Sequence, residues 1–332
     1  MNILIVGFYS PETMAWYLER NLKKMGHNVD IFCYRSIFKK ISPNSIFSKG
    51  FRHLPLFENI YLHKINNTLL SIVRKKRYNL IIFLKAETIF PSTIENIRSY
   101  ADKIINWYMD PIIGLDKGYI LDSIQYYDHF FTKDTFIKKR LNGLGFNNVG
   151  FLLEAFDPDI YKPTKKFDEY ESDISMVGNI YDYRLRILNS LKEYNLKVWG
   201  KLISVDKNKV KTFYQGRPAI LDEKNKIFNS AKIVLNTHNP FEISGANVRL
   251  FEICGSGAFQ LSDTTLYTDN LFKNKKEVLF YNNIEELKEL TQYYLNNAEE
   301  RNKIALAGHK RVIKEHTYDV RLKELFRIIK TS

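Results

Sequence analysis

A chain of 332 residues, 45% of them apolar and with only 15 glycines and 9 prolines, has the make-up of about two ordinary folded domains, not of a disordered or collagen-like chain. The formal charge of +13, with basic clusters at Arg74 to Arg77, Lys138 to Arg140 and Lys273 to Lys276, fits either an anionic partner or a solvated lysine-rich surface. Zinc-finger spacing, a KH or RRM core, a basic heptad region, fixed-period repeats and low-complexity tracts are all missing from the sequence, which removes the main nucleic-acid signatures.

The opening "MNILIVGFYS" carries no basic n-region and reads as a strand over Ile3 to Gly7, not a signal peptide. Helical spacing of Met14, Tyr17, Leu18, Leu22 and Met25 follows from Pro11, with Gly26 as the stop. Strands are expected at Asn28 to Tyr34, Leu80 to Leu84, Lys103 to Met109, His129 to Thr132 and Val149 to Leu153. Helices are expected around Thr68 to Val73, Pro91 to Tyr100 and Lys133 to Leu141. Continuous apolar strands alternating with helices imply a parallel sheet covered on both faces.

The stretch "FDPDIYKPTKKFDEYE" is polar, holds two prolines and has no periodicity, so it reads as a linker. The alternation then restarts, with strands at Ile174 to Val177, Leu196 to Trp199, Ile233 to Asn236, Ala258 to Leu261 and Glu277 to Tyr281. Helices are expected at Tyr183 to Tyr194, up to Ala231, and in the tail from Ile284. The expected organisation is a first domain over 1–156, a linker over 157–171, a second domain over 172–311 and a final helical segment over 312–332 that crosses back to the first domain. The fold class is α/β, two Rossmann-like parallel-sheet domains facing a central cleft. Ligand contacts then come from loops that follow strands.

Cys33 and Cys254 lie far apart in apolar settings and read as buried thiols in a reducing compartment. No apolar run is long enough to cross a bilayer. The expected location is the cytoplasm, with peripheral attachment to the inner face of the membrane as an option.

At the expected strand ends of the second domain lie Gly178 and Asn179, then Arg184, then His238, then Gly245-Ala246-Asn247 opening a helix that carries Arg249 and Glu252. A helix start and an arginine fork hold phosphate, and a carboxylate three residues on accepts ribose hydroxyls. The same pair is also an ordinary i,i+3 surface pair. Gly255 and Gly257 would let the chain turn back into the sheet.

These residues resemble the GT-B glycosyltransferases, and within them the CgeB-like group, the spore-maturation-protein type with a family 1/4-like carboxyl-terminal domain. The resemblance rests on "NVRLFEICGSGAFQLSD", on the helices "EELKELTQYYLNNAEERNKIALAGHKRVIKEHTYDVRLKELF", and on "INWYMDP" and "GFLLEAFDPDIYKP". It implies a nucleotide-sugar donor bound by the second domain and an acceptor bound by the first. The acceptor would be a glycan, a lipid-linked glycan or a protein. By position, Asn247 and Arg249 would meet the diphosphate and Glu252 the ribose. Gly178 and Asn179 would line the donor cleft, Arg184 would be a second phosphate cation, and His238 would touch phosphate or sugar. Many retaining members carry E-x7-E. Here Glu242 and Glu252 stand ten apart, so Glu242 does not simply inherit the sugar-binding role.

Loss of a diphosphate can be stabilised by Arg184, Arg249 and the helix start without a metal, and neither a metal nor another cofactor is expected. An inverting enzyme also needs a base. Asp110, after "KIINWYM" and fixed by Pro111, is the first candidate, although Asp-Pro also opens ordinary turns. Glu12 is the second; it also reads as a first-turn glutamate favoured by a helix dipole. His238 is a third, and Glu154 at the hinge is a further possible lining residue. "DPD" at Asp157 to Asp159 reads as a turn, not a metal-nucleotide motif. Trp16, Tyr17, Phe38, Lys39, Lys40, Phe47, Phe51 and Arg52 would suit an amphiphilic or anionic acceptor at a membrane face. The competing readings are a non-catalytic envelope or spore assembly protein that keeps the fold, and a nucleic-acid-binding protein.

Overall fold

The computed structural model describes residues 1–36 and 55–330. The chain divides into two units, Met1–Leu153 with Leu322–Ser332, and Glu154–Arg321.

In the first unit β1 (Asn2–Val6) is apolar on both faces, with Ile3, Leu4, Ile5 and Val6 all buried. Only a strand covered by helices on both sides meets that condition. Helix α1 (Met14–Lys24) starts later than Pro11 because the Thr13 hydroxyl accepts from the Trp16 N–H and caps it. It buries Met14, Tyr17, Leu18 and Leu22 and ends before Gly26, whose φ of +81° continues the chain left-handed. Glu12 therefore stands outside the helix, ahead of its cap, and is not a first-turn glutamate.

Next come β2 (Asn28–Phe32), α2 (Pro55–Val73), β3 (Tyr78–Phe83), α3 (Pro91–Ile97), β4 (Ala101–Tyr108), α4 (Ile120–Ser123), β5 (His129–Thr132), α5 (Thr135–Gly143) and β6 (Val149–Phe151). The sheet is parallel throughout, in the order β2-β1-β3-β4-β5-β6. Strand β1 is flanked by β2 and β3, so the winding reverses between β1 and β3. The carboxyl ends of those two strands are where an open α/β sheet offers a crevice.

The second unit repeats the plan. Its elements are β7 (Ser172–Val177), β8 (Ile180–Tyr181), α6 (Asp182–Ser190), β9 (Leu196–Trp199), β10 (Leu202–Ile203), α7 (Leu221–Ser230), β11 (Ala231–Asn236), α8 (Arg249–Gly255), β12 (Gln260–Asp263), α9 (Thr268–Leu271), β13 (Leu279–Tyr281), α10 (Ile284–Asn296) and α11 (Ala298–Glu315). Helix α12 (Tyr318–Lys330) begins here, and its residues from Leu322 onward count with the first unit. The main sheet is parallel in the order β13-β12-β11-β7-β9, so its winding reverses between β7 and β11.

The segment expected to be a linker is packed into the second unit. Phe156 and Tyr161 are fully buried, and Asn225 both accepts from the Lys162 N–H and donates to its carbonyl. Asn229 and Ser230 accept from the N–H groups of Thr164 and Phe167, so one face of α7 clasps the strand-like chain. Asp157 accepts from the Asp159 N–H, which makes the DPD stretch a turn. Gly255 belongs to α8, not to a turn: a Cβ there would collide with the Phe156 ring. Gly257, at φ +71°, does the turning. Cys254 is buried, but Cys33 is only partly so.

His316 shows the same unit's density. It stacks on Phe251, with centroids 4.5 Å apart, and its Nδ1 accepts from Arg321. Burial, followed by the Arg321 and Arg311 charges, lowers it from 6.5 to about 3. The unfolded chain binds a proton there below its ordinary value while the folded chain does not. Stability is therefore complete above pH 6.5 and falls between there and about 3, by up to about 1.4 kcal/mol per pH unit. Urea midpoints at about pH 7 and about pH 5 should show this loss in the native protein and a smaller one in His316→Gln. An identical loss in both would assign the acid sensitivity elsewhere.

Candidate functional site

At the reversal of the second sheet, two strand ends bring two guanidinium groups together. Arg249, the first residue of α8, donates to the Val177 carbonyl at 3.0 Å and to the Thr237 carbonyl at 3.0 Å. Arg184, in the first turn of α6, donates to the Asn179 carbonyl and, at 3.1 Å, to the Thr237 carbonyl. Both arginines thus share one acceptor, just beyond β7 and β11. Neither is in an ion pair among the described residues.

Arg184 is buried, whereas Arg249 keeps partial solvent access. The protein packed around Arg249, and after it the Arg184 charge, lower its guanidinium to about 10, so it remains a cation at neutral pH. Two like charges held side by side on backbone carbonyls favour an anion that can touch both. Gly178 makes the arrangement sterically possible, because a Cβ there would collide with Nη1 of Arg249. Asn179 is exposed beside it. Tyr181 and Tyr183 stack on each other at 5.5 Å and flank Arg184, each about as far from its guanidinium, at 5.5 and 5.4 Å.

Asn247 has a different position from a free phosphate donor. Its Oδ1 accepts from the Leu250 N–H, and its Nδ2 donates to Asn236 Oδ1 and the Thr237 carbonyl. It takes up one N–H of the first turn of α8 and braces the same strand end.

His238 follows at the end of β11. Its Nδ1 lies 2.7 Å from Asp263 Oδ1, and its backbone N–H donates to both oxygens of that carboxylate. Asp263 ends β12, the neighbouring strand, which is why the two meet. Asp263 is not among the residues expected at the site; its one sequence signal is its place closing the segment "GAFQLSD" at a strand's carboxyl end. Tyr281, at the end of β13, completes the row; burial and then the Asp263 charge raise its phenol above the usual range.

Glu252 lies deeper. Its side chain is 2% exposed and stands 2.8 Å from Lys224 Nζ, itself 9% exposed. Lys224 comes from α7 and sits 5.3 Å from the centre of the Tyr161 ring. The Glu252 carboxylate is therefore one half of a buried ion pair, a fact that the i,i+3 spacing to Arg249 did not reveal. Glu242 is also buried, with its N–H donating to the Asn239 carbonyl.

In the first unit, the reversal between β1 and β3 gathers three non-glycine residues in left-handed backbone: Glu12 at φ +65°, Lys85 at +65° and Ala86 at +64°. Such conformations cost about 1–3 kcal/mol each and cluster at functional sites. Asp110, after β4, pairs with Lys85 at 2.6 Å, and both remain about a third exposed, at 39% and 36%. Lys85 had no distinguishing mark in the sequence. The Asp-Pro turn is also present: the Gly114 N–H and the Tyr108 hydroxyl both donate to the Pro111 carbonyl. Glu154 is partly buried at the start of the second unit. Of the suggested acceptor-facing aromatics, Tyr17 is core and Trp16 partly buried. Phe38, Lys39, Lys40, Phe47, Phe51 and Arg52 lie outside the described residues.

Comparison with known structures agrees with the two-sheet architecture. Over its full length the chain superimposes on sucrose-phosphate synthase from Thermosynechococcus elongatus with a TM-score of 0.72 at 11% identity, covering 99% of this chain and 98% of that one. Anabaena HepE in complex with UDP and glucose gives 0.64 at 9% identity, covering 100% of each chain. The glycosyltransferase from Rickettsia africae gives 0.65 at 13%, covering 99% and 98%. The fold is GT-B.

Residues 184–327 match the glycosyl transferase-like family model. The spore protein CgeB of Bacillus subtilis is 25% identical over 199 residues, which is 53% of this chain and 60% of that protein. The chain thus has the GT-B fold and is similar, over about half its length, to a CgeB protein; it spans less than two thirds of the length of that curated relative.

Proposed function

We propose that the protein is a glycosyltransferase that binds a nucleoside-diphosphate sugar in its second unit and transfers the sugar to a glycan, a lipid-linked glycan or a protein. The observation that carries the reading is the pair Arg184 and Arg249, two cations with backbone partners and no carboxylate partner among the described residues, at the point where the second sheet reverses. A diphosphate neutralises both, and the same groups then stabilise it as it leaves, so no metal is required for that step. HepE, a fold neighbour, is seen with UDP and with UDP-glucose, which supports the same class of donor here.

In this reading Gly178 and Asn179 line the site, His238 meets phosphate or sugar, and Asn247 braces the corner. Glu252 is assigned the ribose, held in place by Lys224. The first unit takes the acceptor, with Asp110 as the base if the anomeric centre inverts. Lys85, 2.6 Å away, holds the Asp110 carboxylate in position. Glu12 shares that strained edge.

The test is a thermal-shift screen with UDP, GDP, TDP and ADP, followed by turnover of the matching nucleotide sugars. Stabilisation by one of these diphosphates, and turnover lost in Asp110→Asn with donor binding kept, is the expected result. Stabilisation by none would favour the assembly-protein reading. Salt-steep binding to random duplex, indifferent to nucleotide sugar, would favour nucleic acid. That last outcome is disfavoured by the pairing of Lys76 with Asp30 and of Arg77 with Asp102, which spends part of one basic cluster.

A further inference from the structure

His238 and Asp263 form a dyad whose geometry goes beyond a simple contact. The imidazole is 3% exposed, while Asp263 is 27% exposed. Because a carboxylate only accepts, Nδ1 carries the proton of the 2.7 Å bond. The other nitrogen, Nε2, is buried and has no hydrogen-bond partner among the described residues. A buried ring nitrogen left unmatched has a free-energy cost, and it shares its corner with Nε of Arg184, Oγ1 of Thr237 and the Tyr281 hydroxyl, which are also buried without partners. Four such atoms, three at or just after strand ends and one on α6, point to a polar ligand with several acceptors and donors.

The charged and titratable groups of this corner come from every element around it. Asp263 stands on β12, Arg184 and Tyr183 on α6, Arg249 and Glu252 on α8, and Tyr281 on β13. The Asp263 carboxylate stands against Nδ1, and both arginines donate to the carbonyl of the neighbouring Thr237. A diphosphate cancels the arginine charge and adds an acceptor, which tips the balance towards the charged ring.

We propose that His238 and Asp263 are a proton-linked clamp for the donor diphosphate. Nδ1–H stays on Asp263, Nε2 takes a proton from solvent as the donor binds, and Nε2–H donates to a phosphate oxygen. Asp263 is the positioning residue of this clamp. The inference rests on the donor site described above. It is distinct from the alternative in which Nε2 stays unprotonated and accepts a sugar hydroxyl, because only the clamp takes up a proton.

The test is calorimetric titration with the nucleotide sugar, among UDP-, GDP-, TDP- and ADP-glucose, that binds the native protein best. A diphosphodiester has no group of its own titrating near neutrality, so a proton taken up belongs to the protein. Heats in Tris and in HEPES, compared from about pH 6 to about pH 8.5, should show uptake approaching one proton, with Kd rising by up to about tenfold per pH unit on the alkaline side. His238→Gln, whose amide donates without titrating, should show no uptake and a Kd nearly independent of pH. Asp263→Asn should retain binding at the acid end and shift the midpoint of the pH dependence downward. Binding with no proton uptake in the native protein, or native uptake in His238→Gln, overturns the clamp and leaves the donor site standing. Binding of none of the four overturns both. Should His238→Gln fail to fold, the native two-buffer comparison and the Asp263→Asn midpoint decide the matter.

Discussion

Arg249→Met is expected to weaken nucleotide-sugar binding by about 30- to 1,000-fold while leaving the chain folded, the cost being that of about 2–4 kcal/mol for removing a charge that meets a phosphate. The two effects separate because of where this guanidinium sits. In the free protein it has no carboxylate partner among the described residues, and it lies against a second arginine. Removing it relieves a desolvated cation and a like-charge contact. The loss is a donor to the Val177 carbonyl and one of three donors to the Thr237 carbonyl, which keeps Arg184 and Asn247. The net change in stability should stay within about 1 kcal/mol. Arg249→Lys should fall between native and methionine, since an ammonium cannot fork across two oxygens. Donor affinity unchanged by the methionine, measured by calorimetry alongside a urea melt, would remove Arg249 from the site.

Glu252→Ala has the opposite profile. It strands Lys224, 9% exposed, without its carboxylate, and breaking one side of such a pair typically costs about 3–5 kcal/mol. Adding Lys224→Met should recover most of that loss, because the remaining surroundings, including the Tyr161 ring, accept an apolar chain. The double variant then isolates the ribose assignment: it should be folded yet bind donor roughly tenfold more weakly or worse, as expected for one lost charge-assisted contact. A single variant as stable as the native protein would mean the pair contributes little. A double variant with native donor affinity would confine Glu252 to the scaffold.

How much of this could be read from the sequence differed by the range of the interaction. Strands such as "NILIV" and "HFFT" were visible because burial on both faces demands unbroken apolar runs, and the ends of their helices were set by local caps at Thr13 and Asp134. The boundaries moved where a cap or strand pairing overrode periodicity. Thus β12 occupies Gln260–Asp263, later than the apolar run suggested, because its register is set by β11 and β13.

The stretch after Phe156 looked like a linker because its partners, Asn225, Asn229 and Ser230, lie more than 60 positions away. Nothing local marks a side chain as the receiver of a distant backbone. The family model's match over residues 184–327 covers the arginines, His238 and Glu252, and these stood out from their place after strands. Lys85, Lys224 and Asp263 did not, since each matters only through a partner brought near by the sheet: Asp110, Glu252 and His238 in turn. No described helix is long and apolar enough to cross a membrane, in line with the absence of long apolar runs.

The most direct check on the account is a crystal of the full chain grown with the best-binding nucleotide sugar. Density for the diphosphate should lie within hydrogen-bond reach of both Arg184 and Arg249, with the ribose on the Glu252 side of α8. An ordered donor whose phosphates contact neither arginine would contradict it.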